Sequence, residues 1–336
     1  MGKAGLHRKF AIAGRREFAV TLARMSTISF APHGPATEGF TDGADGTRIH
    51  YEIWTPPHGV APADTLVLSD GIGCDGYAWK YLAAHFSKTY RIIHWQYRGH
   101  GRSGLPHERT RTSFDDICGD LEAVMKATHT PTAIFIGHSM GVQVCLEYHR
   151  RHPDAVKALV LICGSHGYPL DTFHDTNILR TVVPALLRTA VRFPSFVETA
   201  WRTLCSNELT YQLATHFEVN GRLIAREDFA PYFDHLAGLD PQLFLSMLKN
   251  ASEHSAYTHL PHIRVPSLIV AGTADGFTPH WLSEEMHDHI PGSELLTIPG
   301  GTHTAPIEHP ELLELRLEKF LNRLTAPAQQ ARASTV

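Results

Sequence analysis

Short apolar runs alternate with longer stretches of helical period over most of this chain. Seven runs are predicted strands: Ile49–Trp54, Thr65–Ser69, Arg91–Trp95, Thr132–Ile136, Val156–Cys163, Ser267–Ala271 and Glu294–Ile298. Most of the later ones are nearly all apolar, as strands covered on both faces must be. Helical patterns lie between them. Ser113 with Asp116 three residues on marks a capping-box start, with Asp in place of the usual Glu, and Phe114, Ile117, Leu121 and Val124 then share one face. Helical periods also follow Tyr77, Met140 and Trp281, and Leu312 to Leu324 makes a closing helix. Alternation of strand and helix predicts an α/β fold: a mostly parallel central sheet flanked by helices.

One stretch breaks the rhythm. From about His166 to His262 no buried strand is predicted, and Asn177–Val191 and Pro241–Leu248 read as helices; the strand pattern returns at Val265-Pro266-Ser267-Leu268-Ile269-Val270. The expected organisation is therefore a core of residues 36–165 and 262–325, a helical cap over 166–261 inserted between two sheet strands, and a flexible tail over 326–336. Residues 1–35 form a basic extension expected to lie outside the fold, since Lys3, Arg8, Lys9, Arg15, Arg16 and Arg24 face one acid, Glu17. Arg15-Arg16-Glu17-Phe18 is similar to the opening of a twin-arginine signal, but Arg24 interrupts the apolar stretch that should follow. The reading adopted is a leader or an upstream start, with Met25 opening the protein.

Composition narrows the function. With 30 Lys+Arg against 34 Asp+Glu among 336 residues, and a net charge of −4, the chain lacks the basic excess that phosphate neutralisation requires, so no nucleic-acid partner is expected. No apolar run approaches the roughly 18 residues of a membrane helix. Cys74, Cys118, Cys145, Cys163 and Cys205 are scattered without a CxxC pair, which favours a reducing, cytoplasmic setting. The 24 histidines are also scattered; His287-x-His289 is the nearest approach to a metal pair and lacks a third ligand in register, so no metal and no cofactor are expected.

The chemistry concentrates in three loops. Gly137-His138-Ser139-Met140-Gly141 joins a predicted strand to a predicted helix. At such a junction the turn strains the serine backbone and exposes its hydroxyl, while the glycines let strand and helix approach. The helix N-terminus then offers backbone N–H groups to a developing oxyanion. A serine nucleophile needs a base, and the base an orienting acid. The strand at Ser267–Ala271 runs into Gly272-Thr273-Ala274-Asp275-Gly276, and the strand at Glu294–Ile298 into Pro299-Gly300-Gly301-Thr302-His303. Both residues thus follow the carboxyl ends of strands, where open α/β sheets place their sites. Asp171, just past the strand at Val156–Cys163, is the other acid considered.

These motifs, with Tyr97-Arg98-Gly99-His100-Gly101-Arg102-Ser103 and the loops AGTADGFTP and GGTHTAPIEHPE, resemble the α/β-hydrolase superfamily over about two-thirds of the chain. The resemblance implies a catalytic triad of Ser139, His303 and Asp275 and a lid built from the helical insertion. It also implies an oxyanion hole from the backbone N–H groups of Ile72 and Met140. Gly73, Cys74, His138, Phe277 and Thr304 are the expected pocket residues. Two positions depart from the family pattern: Asp70 stands where the oxyanion loop usually has histidine, and Gln96 where an acid commonly precedes the arginine-glycine turn. Asp70 is expected to turn away and fix the loop through backbone donors. The implied chemistry is hydrolysis of a carboxylic ester, lactone or thioester bearing an apolar group. Acyltransferase, perhydrolase and carbon–carbon hydrolase activities use the same triad, and some members are ligand receptors.

Overall fold

Eight strands form one sheet in the computed structural model, which describes residues 36–217, 221 and 223–333. They are β1 (Thr37–Asp42), β2 (Arg48–Trp54), β3 (Thr65–Ser69), β4 (Arg91–Trp95), β5 (Ala133–His138), β6 (Val156–Ile162), β7 (Ser267–Gly272) and β8 (Glu294–Ile298). Their order is β1-β2-β4-β3-β5-β6-β7-β8; β2 pairs antiparallel with β1 and β4, and every later pairing is parallel. Each predicted strand is present. β1 was not predicted, because Thr-Glu-Gly-Phe-Thr-Asp has too few apolar positions to register as a strand; it holds the sheet edge by a hairpin closed through Gly43 N–H to Thr47 C=O.

Strand side chains alternate between two faces and so build two cores. Val67, Ile93, Phe135, Leu159 and Ile269 pack on one side with α2 (Phe114–Ala127) and α3 (Met140–Arg151). Leu66, Leu68, Ile134, Ile136, Val160 and Leu268 pack on the other with α1 (Lys80–Phe86) and the closing helix. The Ser113 capping box forms as expected: its Oγ accepts from Asp116 N–H, and the Asp116 carboxylate accepts in return from Ser113 N–H.

Between β6 and β7 the chain leaves the sheet for α4 (Ile178–Arg192), α5 (Pro194–Cys205), α6 (Glu208–Phe217), α7 (Arg226–Gly238) and α8 (Pro241–Glu253). Its two ends meet at an antiparallel bridge between Gly167 and Ser255. α9 (His280–His289) links β7 to β8, and α10 (Pro310–Ala333) closes the chain. The tail expected from residue 326 instead continues this helix to Ala333, since Gln329, Gln330, Ala331, Arg332 and Ala333 are good helix formers. The expectations for residues 1–35 and 334–336 lie outside the described residues. Among the described residues no helix is long and apolar enough to cross a membrane.

Candidate active site

The sheet reverses its strand order between β3 and β5, so the crevice beyond their carboxyl ends is where a ligand site belongs. β5 ends at His138, and Ser139 follows with φ 56° and ψ −119°, a strained conformation for a residue other than glycine. Both flanking glycines are demanded by contact: a Cβ on Gly137 would lie 2.3 Å from the Gly141 carbonyl oxygen, and one on Gly141 would lie 2.1 Å from that of Ser69. Side chains there would push helix from sheet and collapse the turn.

His303, after β8, brings Nε2 to 2.9 Å from the Ser139 Oγ. Its Nδ1 lies 3.1 and 3.0 Å from the two carboxylate oxygens of Asp275, after β7. Asp275 is held from behind. One oxygen accepts from the N–H groups of Phe277 and Thr278, and the other from the Thr278 hydroxyl, all at 2.9 Å. An acid receiving that many donors keeps its orientation. Three residues 28 and 164 positions apart are thereby joined in one line. Asp171 takes no part; it faces Arg180 at 3.3 Å in the inserted segment.

The imidazole of His303 is seated between rings, with Phe277 stacked at 4.8 Å and His138 at 5.0 Å. His138 is buried, and its Nε2 lies 2.8 Å from the His303 carbonyl oxygen. Burial, and then the nearby His303, pull its pKa down to about 4, so it is neutral and donates Nε2–H to that carbonyl. It therefore holds the main chain of His303. Thr304 is tied to Glu308 at 3.1 Å, and the Thr302 N–H also donates to Glu308 at 2.8 Å.

Across the crevice, the loop after β3 brings Gly71 against the serine: a Cβ there would be 3.0 Å from that of Ser139. Among the described residues, no main-chain acceptor takes the N–H of Ile72 or Met140. Gly73 N–H is engaged differently: it donates to His100 Nε2 at 3.1 Å. His100 is buried, and burial, then the neighbouring His235, lower its pKa to about 3. It stays neutral, accepting at Nε2 while Nδ1 faces the Arg98 carbonyl at 3.2 Å. Cys74 is buried, and burial pushes its thiol pKa well up, so it is a protonated thiol beside the Ile72 carbonyl.

Asp70 turns away from the crevice, but the donors that hold it are side chains rather than the backbone groups expected. Trp79 Nε1–H donates to one oxygen at 2.6 Å, and His94 Nε2 lies 2.8 Å from the other. Asp70 is 1% exposed. Burial opposes a charged His94, but the Asp70 and Glu52 carboxylates outweigh it and lift its pKa to about 10. The Asp70 carboxylate is thus matched by His94 behind the loop. Trp79 and His94 carry no motif that would have revealed this role. Thr278 was legible in principle, because Asp-x-x-Thr after a strand is an Asx-turn pattern.

The inserted helices roof this loop. The position of a Cβ on Gly73 lies 3.2 Å from the Phe244 ring, 3.3 Å from Leu236 and 3.5 Å from the Tyr232 ring. Asp228 of α7 is bonded by Lys80 and, at 2.8 Å, by the Tyr81 hydroxyl; Asp240 is bonded by Arg109 at 3.0 Å.

Comparison with known proteins agrees with this architecture. The family model described as the alpha/beta hydrolase fold matches residues 64–310. A protein provisionally named carbamate hydrolase RutD, from Yersinia enterocolitica, is 28% identical over 263 residues, covering 74% of this chain and 84% of that protein. The karrikin insensitive 2 receptor CA of Petunia hybrida is 22% identical over 237 residues, covering 70% and 82%. The enol-lactonase of Burkholderia xenovorans LB400 superposes with a TM-score of 0.66 at 22% identity, covering 84% of this chain and all of that one (100%).

Proposed function

This chain belongs to the alpha/beta hydrolase fold family, and from that premise we propose that it is a serine hydrolase cleaving a carboxylic ester, lactone or thioester through an acyl-enzyme. The unbroken relay from Asp275 through His303 to Ser139 supports this reading. The Ser139 Oγ attacks the substrate carbonyl carbon as His303 Nε2 takes its proton, and Asp275 stabilises the imidazolium through Nδ1–H. The N–H groups of Ile72 and Met140 receive the oxyanion, each worth about 3–4 kcal/mol in the transition state. His303 then protonates the leaving alcohol or thiol. A water activated by the same imidazole releases the acid.

In this reading residues 36–165 and 262–325 supply the chemistry, and 166–261 form a cap that selects the substrate. Tyr232, Leu236 and Phe244 above Gly73, and Phe277 beside His303, favour an apolar acyl or alcohol group. The names of relatives span carbamate, ester and lactone hydrolysis and a receptor, which all leave the acyl substrate open. A panel of p-nitrophenyl esters of increasing chain length tests the proposal. Ser139-dependent release that favours an apolar acyl chain is expected; release that persists undiminished in Ser139→Ala contradicts it. Binding of an ester without any turnover would favour the receptor reading instead.

A further inference from the structure

The antiparallel end of the sheet holds a second cluster, on β1 and β2, which the proposed reaction does not use. In the β1–β2 register Glu38 stands opposite Glu52 and Phe40 opposite His50, so both glutamates and His50 share one face. Like charges directly opposite across a strand pair repel. One ligand atom from each of Glu38, His50 and Glu52 lies within 4.8 Å of the others.

The tautomer of His50 follows from its neighbour. The Arg102 backbone N–H donates at 2.7 Å to Gln96 Oε1, which fixes that atom as the amide oxygen. His50 Nδ1 sits 3.0 Å from the same oxygen and must therefore carry the proton. Its Nε2 is then a bare lone pair. His50 is 0% exposed and its Nε2 has no partner, while Glu52 lies 3.8 Å from Nδ1 of the charged His94. Arg102 pairs with Glu38, and its side chain is about half exposed (49%).

We propose that Glu38, Glu52 and the Nε2 of His50 bind a divalent transition-metal cation of the Zn²⁺ class, which clips the edge strand β1 to β2. One imidazole with two carboxylates suits zinc better than magnesium or calcium, which favour all-oxygen shells. A metal-ligating histidine normally gives its other N–H to an acceptor, as Nδ1 does to Gln96. Zinc–ligand distances of about 2.0–2.2 Å keep ligand atoms within about 4.4 Å of each other, so the carboxylates must close slightly. Side-chain exposures of 45% for Glu38 and 24% for Glu52 allow that movement. Arg102 competes with the cation for Glu38. The pair picked out by sequence spacing is occupied otherwise: His287 bonds Ser293 and His289 bonds Tyr257, both at 2.9 Å.

The test is calorimetric titration of ZnCl₂ into the full chain after treatment with EDTA, with the thermal midpoint read in parallel. One Zn²⁺ per chain is expected, raising the midpoint. Glu38→Gln and Glu52→Gln should each weaken binding by at least about tenfold. Arg102→Ala should strengthen it, and His287→Ala should leave it unchanged. Glu38→Gln alters an exposed carboxylate, so its loss of binding is not a loss of fold. Affinity unchanged in both glutamate variants, or no binding up to about 1 mM, would overturn the proposal.

Discussion

The loops beyond β5, β7 and β8 and the helices between β6 and β7 meet at one crevice but are built in opposite ways. At the strand ends the key atoms are fixed several times over: Asp275 receives three hydrogen bonds besides its contact with His303, and Ser139 is clamped between glycines that tolerate no Cβ. In the inserted helices many apolar side chains lack such partners. Only Val183 and Ala190 of α4 are buried, whereas Ile178 and Leu186 on that helix and Phe196 on α5 stand exposed. The difference teaches where each property resides. In the proposed function, reaction geometry would belong to the rigid strand ends, and substrate choice to a segment that can change without disturbing them.

Substitutions can break that division or sharpen it. Ser139→Ala should show the largest effect, lowering kcat by about 10⁴–10⁶-fold with the unfolding midpoint unchanged. Asp275→Asn should cost about 10⁴-fold by spoiling the His303 tautomer, while Asp171→Asn leaves kcat unaltered; reversed results would move the acid into the insertion and break the comparison.

Below these come the charges behind the oxyanion loop. His94→Leu strands Asp70 as a buried unpaired charge and should cost about 3–5 kcal/mol in denaturant unfolding. The raised pKa of His94 also sets a sign. Its stabilisation is complete below the unfolded value of about 6.5 and is lost as pH rises through about 10. His100 and His138 act in the other direction, because both are held neutral. Stability should fall as pH drops from about 6.5 toward their folded values of about 3 and 4. A pH series of wild type and His94→Leu separates the alkaline arm from the acid one.

Smaller still, Phe244→Ala should shift the preference between short and long acyl chains by about tenfold while the rate on the best small ester holds. Phe196→Ser, at an exposed position of the insertion, should change stability by no more than about 0.5 kcal/mol. A large loss of kcat on small esters from either would show that the insertion carries part of the reaction geometry.

Much of this was legible before any coordinates. Nearly all-apolar runs such as Ala158–Ile162 read as buried strands, and the loops after such strands carry Ser139, Asp275 and His303 among glycines and turn residues. What escaped was either weakly patterned or non-local. β1 is an edge strand with Thr37, Glu38 and Asp42 exposed and no residue fully buried, so its alternation is diluted. The support of Asp70 by Trp79 and His94 joins residues 9 and 24 positions apart in ways no local period records. Glu308 behind the histidine loop was visible only as one more acid, although its i,i+4 spacing from Thr304 fits a first helical turn.

The central claim is that His303 and Asp275 make Ser139 a nucleophile. Fluorophosphonate labelling of the purified chain with peptide mapping tests it without any assumption about the substrate. A stoichiometric adduct on Ser139 that disappears in His303→Ala is the predicted result. An intact, folded protein that takes no adduct, or takes it on another residue, would contradict the account.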